Sequence, residues 1–394
     1  MRSARARAAS VFHGPLGRGA VIFLLAFAIR ALLLTKIPEE YIRPGDRWEI
    51  EAIAMSLARE GEFADPYAIP TGPTAHVPPI YPALIALLYR LLGISLSTGY
   101  VRWLLDIAAV SMASAILPWL ALRFGLTLGA GTLAGLAGAL ALRWLTAVED
   151  LAAILLALLL IALERAWSEE RGPVPAAFAI GLGFGIAFHL KPELLAVLFG
   201  CAVFDLWWRR RRPRWILSAA ALLAGALVAC VPWGVRNWRT FHAPLFVRSN
   251  LGLELRVGNH PGATADIDAA PPDTLRHPRE DLGEARRVAE LGEIRYMRAA
   301  GAEALAWIRA HPSAYAGLTI RRFLGFWLGS WHDPLPALAA ALTTALALLG
   351  ARRVVPGLTI PQRAALLIPL ATFPLVYYFV IFMPRYRIPV DWIL

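Results

Sequence analysis

Long apolar runs recur along the chain from residue 20 to residue 383, separated by short polar stretches. Most runs carry no charge near their centre. Their lengths are close to the length that an α-helix needs to cross a bilayer, about 20 residues. The pattern therefore predicts an all-α membrane protein with about nine transmembrane helices. The predicted spans are 20–35, 103–122, 126–143, 151–166, 174–189, 193–208, 214–233, 335–350 and 364–383.

A further apolar run, 79–93, is shorter than a span requires. If it crossed the membrane and the N-terminus lay inside, the arginine-rich stretch 209–214 would lie outside. That arrangement contradicts the tendency of basic loops to remain on the cytoplasmic side. We therefore predict that 79–93 is a helix lying along the outer surface of the membrane.

This choice fixes the predicted orientation, because every strongly basic loop then lies inside. The N-terminus is inside and the C-terminus outside. The predicted organisation is a basic cytoplasmic N-terminus (1–19), a transmembrane core (20–233) with a first outer loop (36–102), an outer loop domain (234–334), and C-terminal helices with a short tail (335–394).

Composition agrees with a membrane protein. The 394 residues are 58% hydrophobic and 17% charged, with a mean hydropathy of +0.55, whereas soluble domains average about 45–50% and 25%. The net charge of +11 would suggest nucleic acid as a partner of a soluble domain, but here the arginines flank spans, so we expect membrane lipids instead. Cys201 and Cys230 lie in or at the end of apolar runs and are expected to pack. The first run lacks a small-residue cleavage site, which favours a retained span over a signal peptide.

Two acidic residues begin a predicted amphipathic helix in the first outer loop. Asp46 and Glu49 share one helix face at i, i+3 spacing. Asp46 is also a good N-cap, so one interpretation is purely structural. The other is a general base near the lipid headgroups, where a carboxylate can act on a proton of a bound substrate.

The segment 70–82 repeats proline, which predicts a rigid, extended connector between this helix and the surface helix 79–93. His76 lies within it. The residue is either part of a turn or a hydrogen-bond donor to a phosphate at the headgroup level.

More charged residues lie at predicted outer ends of spans. Glu149 and Asp150 begin one span, where they either stabilise the helix N-terminus or add a second acidic group to a site. His189 and Lys191 fall between two spans. Lys191 is separate from the inner arginines, so it either extends to the interface or binds a lipid phosphate.

Arg30 and Arg102 lie within or at the start of spans, and Arg102 has Asp106 four residues later. A charge on a span usually faces protein or water, so both arginines either pair inside the bundle or bind an anion. In the second outer loop, residues 280–309 are expected to be helical up to His311-Pro312, and 319–331 to form an interfacial helix.

Several functional motifs are absent: a nucleotide-binding P-loop, H-E-x-x-H and C-x-x-C. No cytosolic stretch is long enough for a nucleotide-sugar domain, so the donor of any synthesis is expected to be lipid-borne. No ligand spacing identifies a metal site, which leaves a divalent cation near the outer acids as an open alternative.

Taken together, these segments resemble the GT-C membrane glycosyltransferases, and within them the bacterial group of protein mannosyltransferases, lipid A aminoarabinose transferases and rhizobial core galacturonosyltransferases. The resemblance extends over most of the chain, in order. The similar positions are Arg30, Asp46 with Glu49, the connector 73–82, Arg102, Glu149 with Asp150, and the stretches 232–238, 252–259, 311–312 and 384–389.

The resemblance implies a GT-C-like fold in a bacterial inner membrane and transfer of a sugar from a polyprenyl-phosphate donor to a lipid, glycan or protein acceptor. It implies that Asp46 is the general base. Many members have Asp-Glu where this chain has Asp46-Arg47, so Glu49 competes for that role. Members usually continue with further spans beyond 384–389, whereas this sequence ends at Leu394.

The implied site also contains groups for the lipid phosphate and for the sugar or acceptor. Glu149 or Asp150 would hold the sugar or orient the acceptor. The cationic or donor groups expected around the phosphate are His76, Lys191, Arg30, Arg236 and Arg385. Arg102 and His189 are further candidate substrate-binding residues on the same side.

Two alternatives belong to other classes of protein. A flippase or transporter of lipid-linked sugars would place ionisable groups near the middle of the bilayer, whereas the charges here gather at span ends. A non-catalytic membrane scaffold would tolerate replacement of all the outer acids. The pattern favours a transferase over both.

Overall fold

A computed structural model describes residues 14–45, 48–141, 147–169, 174–211, 215–271, 274, 276–330 and 332–394. Within these residues the fold is all-helical without β-strands, which confirms the predicted all-α class. Two isolated bridges, Ala64 with Pro73 and Asp266 with Phe382, are the only strand-like pairings described.

The helices run from the first apolar segment to the last residues of the chain. In order, they are α1 (Pro15–Leu34), α2 (Glu39–Ile42), α3 (Glu49–Arg59), α4 (Ile80–Leu92), α5 (Leu96–Ala115), α6 (Leu117–Arg123), α7 (Leu128–Leu140), α8 (Ala147–Ser168), α9 (Val174–Phe188), α10 (Leu194–Arg209), α11 (Trp215–Phe241), α12 (Leu251–Gly258), α13 (Leu282–Leu291), α14 (Glu293–Ala310), α15 (Pro312–Leu328), α16 (Pro334–Val354), α17 (Ile360–Thr372), α18 (Leu375–Phe379) and α19 (Ile388–Asp391).

Five helical stretches in the described part are long and apolar enough to cross a bilayer. They are Pro15–Leu34, Leu96–Arg123, Trp215–Phe241, Pro334–Gly357 and Ile360–Phe379. Large apolar side chains on them remain exposed, such as Leu335, Leu338 and Leu346 on α16. An apolar surface of this extent on a helix is stable in contact with lipid. The chain is therefore a membrane protein.

The other four predicted spans coincide with α7, α8, α9 and α10, of which α7 has 13 residues and α9 has 15. α8 lies at the centre of the main hydrophobic core, where Leu156 and Leu160 are fully buried. Glu149 and Asp150, in the first turn of α8, are buried as well.

Glycines allow α9 and α11 to pack closely beside this core. A Cβ atom at Gly181 would lie 2.1 Å from the carbonyl oxygen of Leu222, and one at Gly225 would lie 2.1 Å from that of Phe178. Backbones at this separation exclude any larger residue. Lys191, in the connection between α9 and α10, is buried.

The short helix α4 is the predicted surface helix 79–93. Its buried face, with Ile85 and Tyr89, packs on Ala54 of α3, while Leu84 and Leu87 on the opposite face are exposed. This contact holds α3, whose first residue is Glu49, beside α4.

The predicted helix at 280–309 is interrupted at Gly292, whose φ of 75° separates α13 from α14. Both helices pack with α12 around Leu253, Val288 and Tyr296. We call α12, α13, α14 and their connections the 251–310 segment. The predicted stop at His311-Pro312 is confirmed as the end of α14. The helix expected at 319–331 is part of α15, which begins earlier, at Pro312, and ends at Leu328.

Candidate functional site

Glu49 is the first residue of α3, and its side chain is 23% exposed. Helix α3 starts three residues later than the sequence suggested. The other predicted acid, Asp46, lies outside the described residues, so only Glu49 of the two can be located. Its carboxylate is directed to a group of residues from distant parts of the chain.

The proline-rich connector is held rigidly beside Glu49. The carboxylate of Glu293 accepts hydrogen bonds from the Ala75 amide (2.8 Å) and from the Thr74 hydroxyl. Ser249 donates its amide to the Ala75 carbonyl (2.9 Å). Arg236 donates to the carbonyls of Thr74 (2.7 Å) and Phe63 (2.9 Å). These bonds fix the backbone on which His76 stands.

His76 is buried, and its Nδ1 lies 3.1 Å from the hydroxyl of Tyr67. Burial, together with the charges of His277 and Arg248, holds the pKa of His76 well below its usual range. Burial also raises the pKa of Tyr67 well above its usual value. At neutral pH the pair is therefore a neutral imidazole beside a phenol. His76 is available as a hydrogen-bonding or metal-binding group rather than as a cation for phosphate.

His277 completes a cluster with Glu49 and His76. Its Nδ1 lies 3.8 Å from Oε1 of Glu49, and its ring centroid lies 5.8 Å from that of His76. One ligand atom from each of the three residues lies within 4.8 Å of the other two. Two imidazoles and a carboxylate are the donor set of many catalytic zinc sites. The three side chains are thus able to hold a divalent cation.

His277 was not predicted from the sequence. It lies in an irregular stretch before α13, where Arg279 donates its backbone amide to Nδ1 of His277 (3.2 Å). The only local signal is a His-Pro pair in the second outer loop. No spacing relates it to Glu49, because the contact depends on how the 251–310 segment packs against α3.

A second cluster lies at the first turn of α8. The Oε1 atom of Glu149 is 3.5 Å from Nζ of Lys191 and 3.8 Å from Nε of Arg385. Asp150 is fully buried beside Glu149. Glu149 and Lys191 are also buried, whereas Arg385 remains 46% exposed. Arg385 therefore has room to contact a ligand.

Two stacked tyrosines form one wall of this second cluster. The rings of Tyr377 and Tyr386 lie 4.6 Å apart at an angle of 20°. Nζ of Lys191 lies 4.7 Å from the centroid of Tyr386, a cation–π distance. Because the ammonium group is held by one carboxylate and one ring face, its position is fixed while it retains capacity to donate further hydrogen bonds.

Arg385 joins the two clusters. Its guanidinium interacts electrostatically with Glu49 as well as with Glu149. The candidate site therefore consists of two clusters that the charge of Arg385 couples. Their residues come from the start of α3, the connector, the start of α8, the α9–α10 connection, the stretch before α13 and the C-terminal stretch.

Three further residues at this site, Glu193, Arg248 and Tyr377, were not predicted from the sequence. Arg248 lies 3.4 Å from Glu193 and 3.3 Å from Glu254, and its charge reaches His76, Tyr377 and Tyr386. Glu193, Arg248 and Tyr377 each carry a buried polar atom without a hydrogen-bond partner in the described part of the chain. Such atoms suit a polar ligand with several hydroxyl groups.

Arg30 lies apart from the site. Its guanidinium donates to the carbonyls of Gly138, Ala139 and Ala141 at distances of 2.9–3.1 Å. These carbonyls end α7 and have no partner within their own helix. The structure thus gives Arg30 the role of a helix cap rather than that of an anion ligand.

Arg102 and Arg236 have structural partners as well. Arg102 lies between Glu51 (3.5 Å) and Asp106 (3.2 Å) and links α3 to α5. Arg236 holds the proline-rich connector in place through its hydrogen bonds to backbone carbonyls. His189 faces its own helix, with Nδ1 2.7 Å from the carbonyl of Gly185. Of the predicted cations, Lys191 and Arg385 are the ones that reach the site.

Searches of protein-family models, curated proteins and solved structures give no match for this chain. The functional argument therefore rests on the site and its chemistry.

Proposed function

We propose that the protein is a membrane glycosyltransferase that moves a sugar from a polyprenyl-phosphate donor to an acceptor hydroxyl. The observation that carries this proposal is that a carboxylate, Glu49, and two cations, Lys191 and Arg385, lie in two clusters that Arg385 couples electrostatically, in a chain with helices that suit a bilayer. A base and a phosphate-binding pair are the two requirements of this reaction.

The proposal includes the membrane arrangement. α7, α8, α9 and α10 complete nine transmembrane helices, and α4 lies on the outer surface with its exposed leucines towards lipid. The site then opens at the extracytoplasmic face of a bacterial inner membrane, with the 251–310 segment above it. Positively charged loops on the inner side support this orientation.

In the proposed reaction, the acceptor oxygen attacks the anomeric carbon of the donor sugar. The bond between that carbon and the phosphate oxygen breaks, and its electron pair leaves with the phosphate. Glu49, or Asp46, takes the acceptor proton and later releases it to water. A single displacement of this kind inverts the anomeric configuration.

Lys191 and Arg385 stabilise the negative charge that grows on the lipid phosphate. Lys191 is held in place by Glu149 and Tyr386, so its charge needs little rearrangement during the reaction. The buried polar atoms of Glu193, Arg248 and Tyr377 would pair with hydroxyls of the sugar.

A divalent cation held by Glu49, His76 and His277 would polarise a ligand oxygen at the same site. In that arrangement Glu49 is a ligand, and Asp46 is the remaining acid for the role of base. The two assignments predict different results for metal-free protein. If Glu49 is the base, Glu49→Gln should lose transfer, and if Asp46 is the base, Asp46→Asn should.

The proposal is tested with purified protein carrying Glu49→Gln or Asp46→Asn, assayed with labelled polyprenyl-phosphate sugars and an envelope extract as acceptor. We expect at least one variant to lose transfer by about 100-fold or more, the contribution of a general base. Glu60→Gln, at the exposed end of the same helix, is the matched control and should retain wild-type transfer.

If both acid variants retain full activity, the proposed mechanism is wrong. Proteoliposomes separate the transferase from a flippase. If labelled lipid-linked sugar crosses the bilayer while no glycosyl product forms, the protein is a transporter.

A further inference from the structure

A cleft of about 590 Å³ lies in the 251–310 segment, outside the site described above. Its lining includes Arg256, Asn259, His260, Arg276, Glu303 and Trp307. The volume falls in the range of small-molecule sites, about 300–1,000 Å³. The proposed transfer reaction uses none of these side chains.

The cleft has a rigid wall. Arg256 is buried, and its guanidinium donates to Glu284 (2.7 Å), Glu303 (3.3 Å) and the hydroxyl of Tyr296 (2.6 Å). It also donates to the backbone carbonyl of Arg276 (2.7 Å). A wall fixed by several charge-assisted bonds binds a ligand without having to be ordered first.

The lining combines an aromatic ring with groups of mixed polarity. Trp307 is half-buried on α14 and stacks on His311, with ring centroids 5.2 Å apart. Around it are carboxylate, imidazole and guanidinium groups. The C–H face of a sugar ring packs on an aromatic ring, and its hydroxyls pair with both donors and acceptors.

The charge of the lining argues against a phosphate. The Arg256 charge is balanced by Glu284 and Glu303, which leaves Arg276 as the exposed cation among the described lining residues. An acyl chain is also disfavoured, because it would cover the charged or imidazole groups of Arg276, Glu303 and His260 without pairing them. A carbohydrate fits this lining better than either.

One stretch of backbone is shared by the cleft and the site. The carbonyl of Arg276 is bonded to Arg256 on the cleft side, and the next residue, His277, faces Glu49. The cleft lining and the contact with the carboxylate proposed as the base therefore lie on consecutive residues of the chain.

We propose that this cleft binds the carbohydrate part of the acceptor, so that the protein glycosylates an oligosaccharide or a glycolipid. This inference rests on the proposed transferase function. It adds Trp307 and Arg276 as determinants of acceptor recognition that do not touch the reacting atoms.

The test uses the full-length protein in nanodiscs, labelled polyprenyl-phosphate sugar, and as acceptor the glycolipid extract of a strain that lacks the gene. Such a strain retains the unmodified acceptor. For Trp307→Ala we expect the acceptor KM to rise about tenfold, while kcat and the donor KM stay within about twofold. Trp307→Phe, which keeps an aromatic ring, should lie between Trp307→Ala and the wild type.

Leu305→Ala is the matched control, because Leu305 lies on the same helix and is 43% exposed outside the cleft. Oligosaccharide released from the extract by mild acid should compete with the acceptor for the wild type and compete less for Trp307→Ala. A thermal-unfolding curve for each variant excludes misfolding as the cause of a change.

The two proposals fail in different ways. If the wild type transfers sugar and Glu49→Gln or Asp46→Asn does not, but Trp307→Ala and Trp307→Phe match Leu305→Ala in acceptor KM, the cleft is not the acceptor site. If the wild type transfers no sugar to any acceptor in the extract, the transferase function itself falls, and this inference with it.

Discussion

The carboxylate of Glu49 lies 3.8 Å from Nδ1 of His277, although the two residues come from the first and second long polar stretches of the chain. This contact, together with His76, creates a donor set for a divalent cation. Zn²⁺ is the cation that two imidazoles and one carboxylate favour, since Mg²⁺ and Ca²⁺ prefer oxygen ligands.

We predict that the purified protein binds one equivalent of Zn²⁺ and that His277→Ala loses it. Removing one of three protein ligands lowers the affinity of such a site strongly. Metal content is measured by mass spectrometry after dialysis against trace Zn²⁺. His311→Ala, which changes an exposed histidine at the end of α14, should keep the metal.

Equal metal content in wild type, His277→Ala and His76→Ala would show that the cluster does not bind a cation. In that case Glu49 is free to act as the base.

Buried His76 gives the second prediction. Burial and the charges of His277 and Arg248 depress the pKa of His76 in the folded chain. In the unfolded chain the pKa of this histidine is about 6.5. As pH falls below that value, the unfolded chain takes up a proton that the folded chain does not. Stability that is complete above about pH 7 is therefore lost as pH falls.

We expect His76→Gln to lose less stability than the wild type between pH 7.5 and pH 5.5, measured as thermal unfolding in detergent. His311→Gln is the control and should retain the wild-type pH dependence. An identical decline in all three proteins would mean that His76 is not responsible.

Sequence patterns were sufficient for the all-α class and for several members of the site. Glu49, Glu149 and Lys191 each lie at a helix start or between two helices, so the order of apolar runs and the charges of the loops already place them at one end of a bundle. The all-α class and the short helix at 79–93 follow from the same pattern.

The arginines could not be assigned in this way. A buried arginine looks the same in a sequence whether it caps a helix, as Arg30 does, or binds an anion. The difference depends on carbonyl groups of α7, which are far from Arg30 in the chain. His277 was missed for a similar reason, because its partners are set by tertiary packing.

The capping role of Arg30 is the basis of the third prediction. Arg30→Met leaves the carbonyls at the end of α7 without their donor, in an apolar environment that offers no replacement. We expect the free energy of unfolding to fall by about 3 kcal/mol, measured by titration with a denaturing detergent. Specific activity of the folded fraction should change little.

Lys36→Met is the control, since Lys36 is an exposed cation just after the same helix. If Arg30→Met is as stable as Lys36→Met but loses activity, Arg30 is an anion ligand rather than a helix cap.

The last prediction concerns Lys191, whose role as a phosphate ligand must be separated from simple neutralisation of Glu149. Lys191→Met should lower kcat/KM for the lipid-phosphate donor by about 100-fold, since it removes a fixed charge from the leaving group. If Lys191 only neutralised Glu149, the double variant Lys191→Met/Glu149→Gln would recover most of the activity, because no buried carboxylate would remain without its lysine partner. If Lys191 binds the phosphate, the double variant stays as slow as Lys191→Met. Initial rates at several donor concentrations, with equal unfolding temperatures as a check on folding, distinguish the two outcomes.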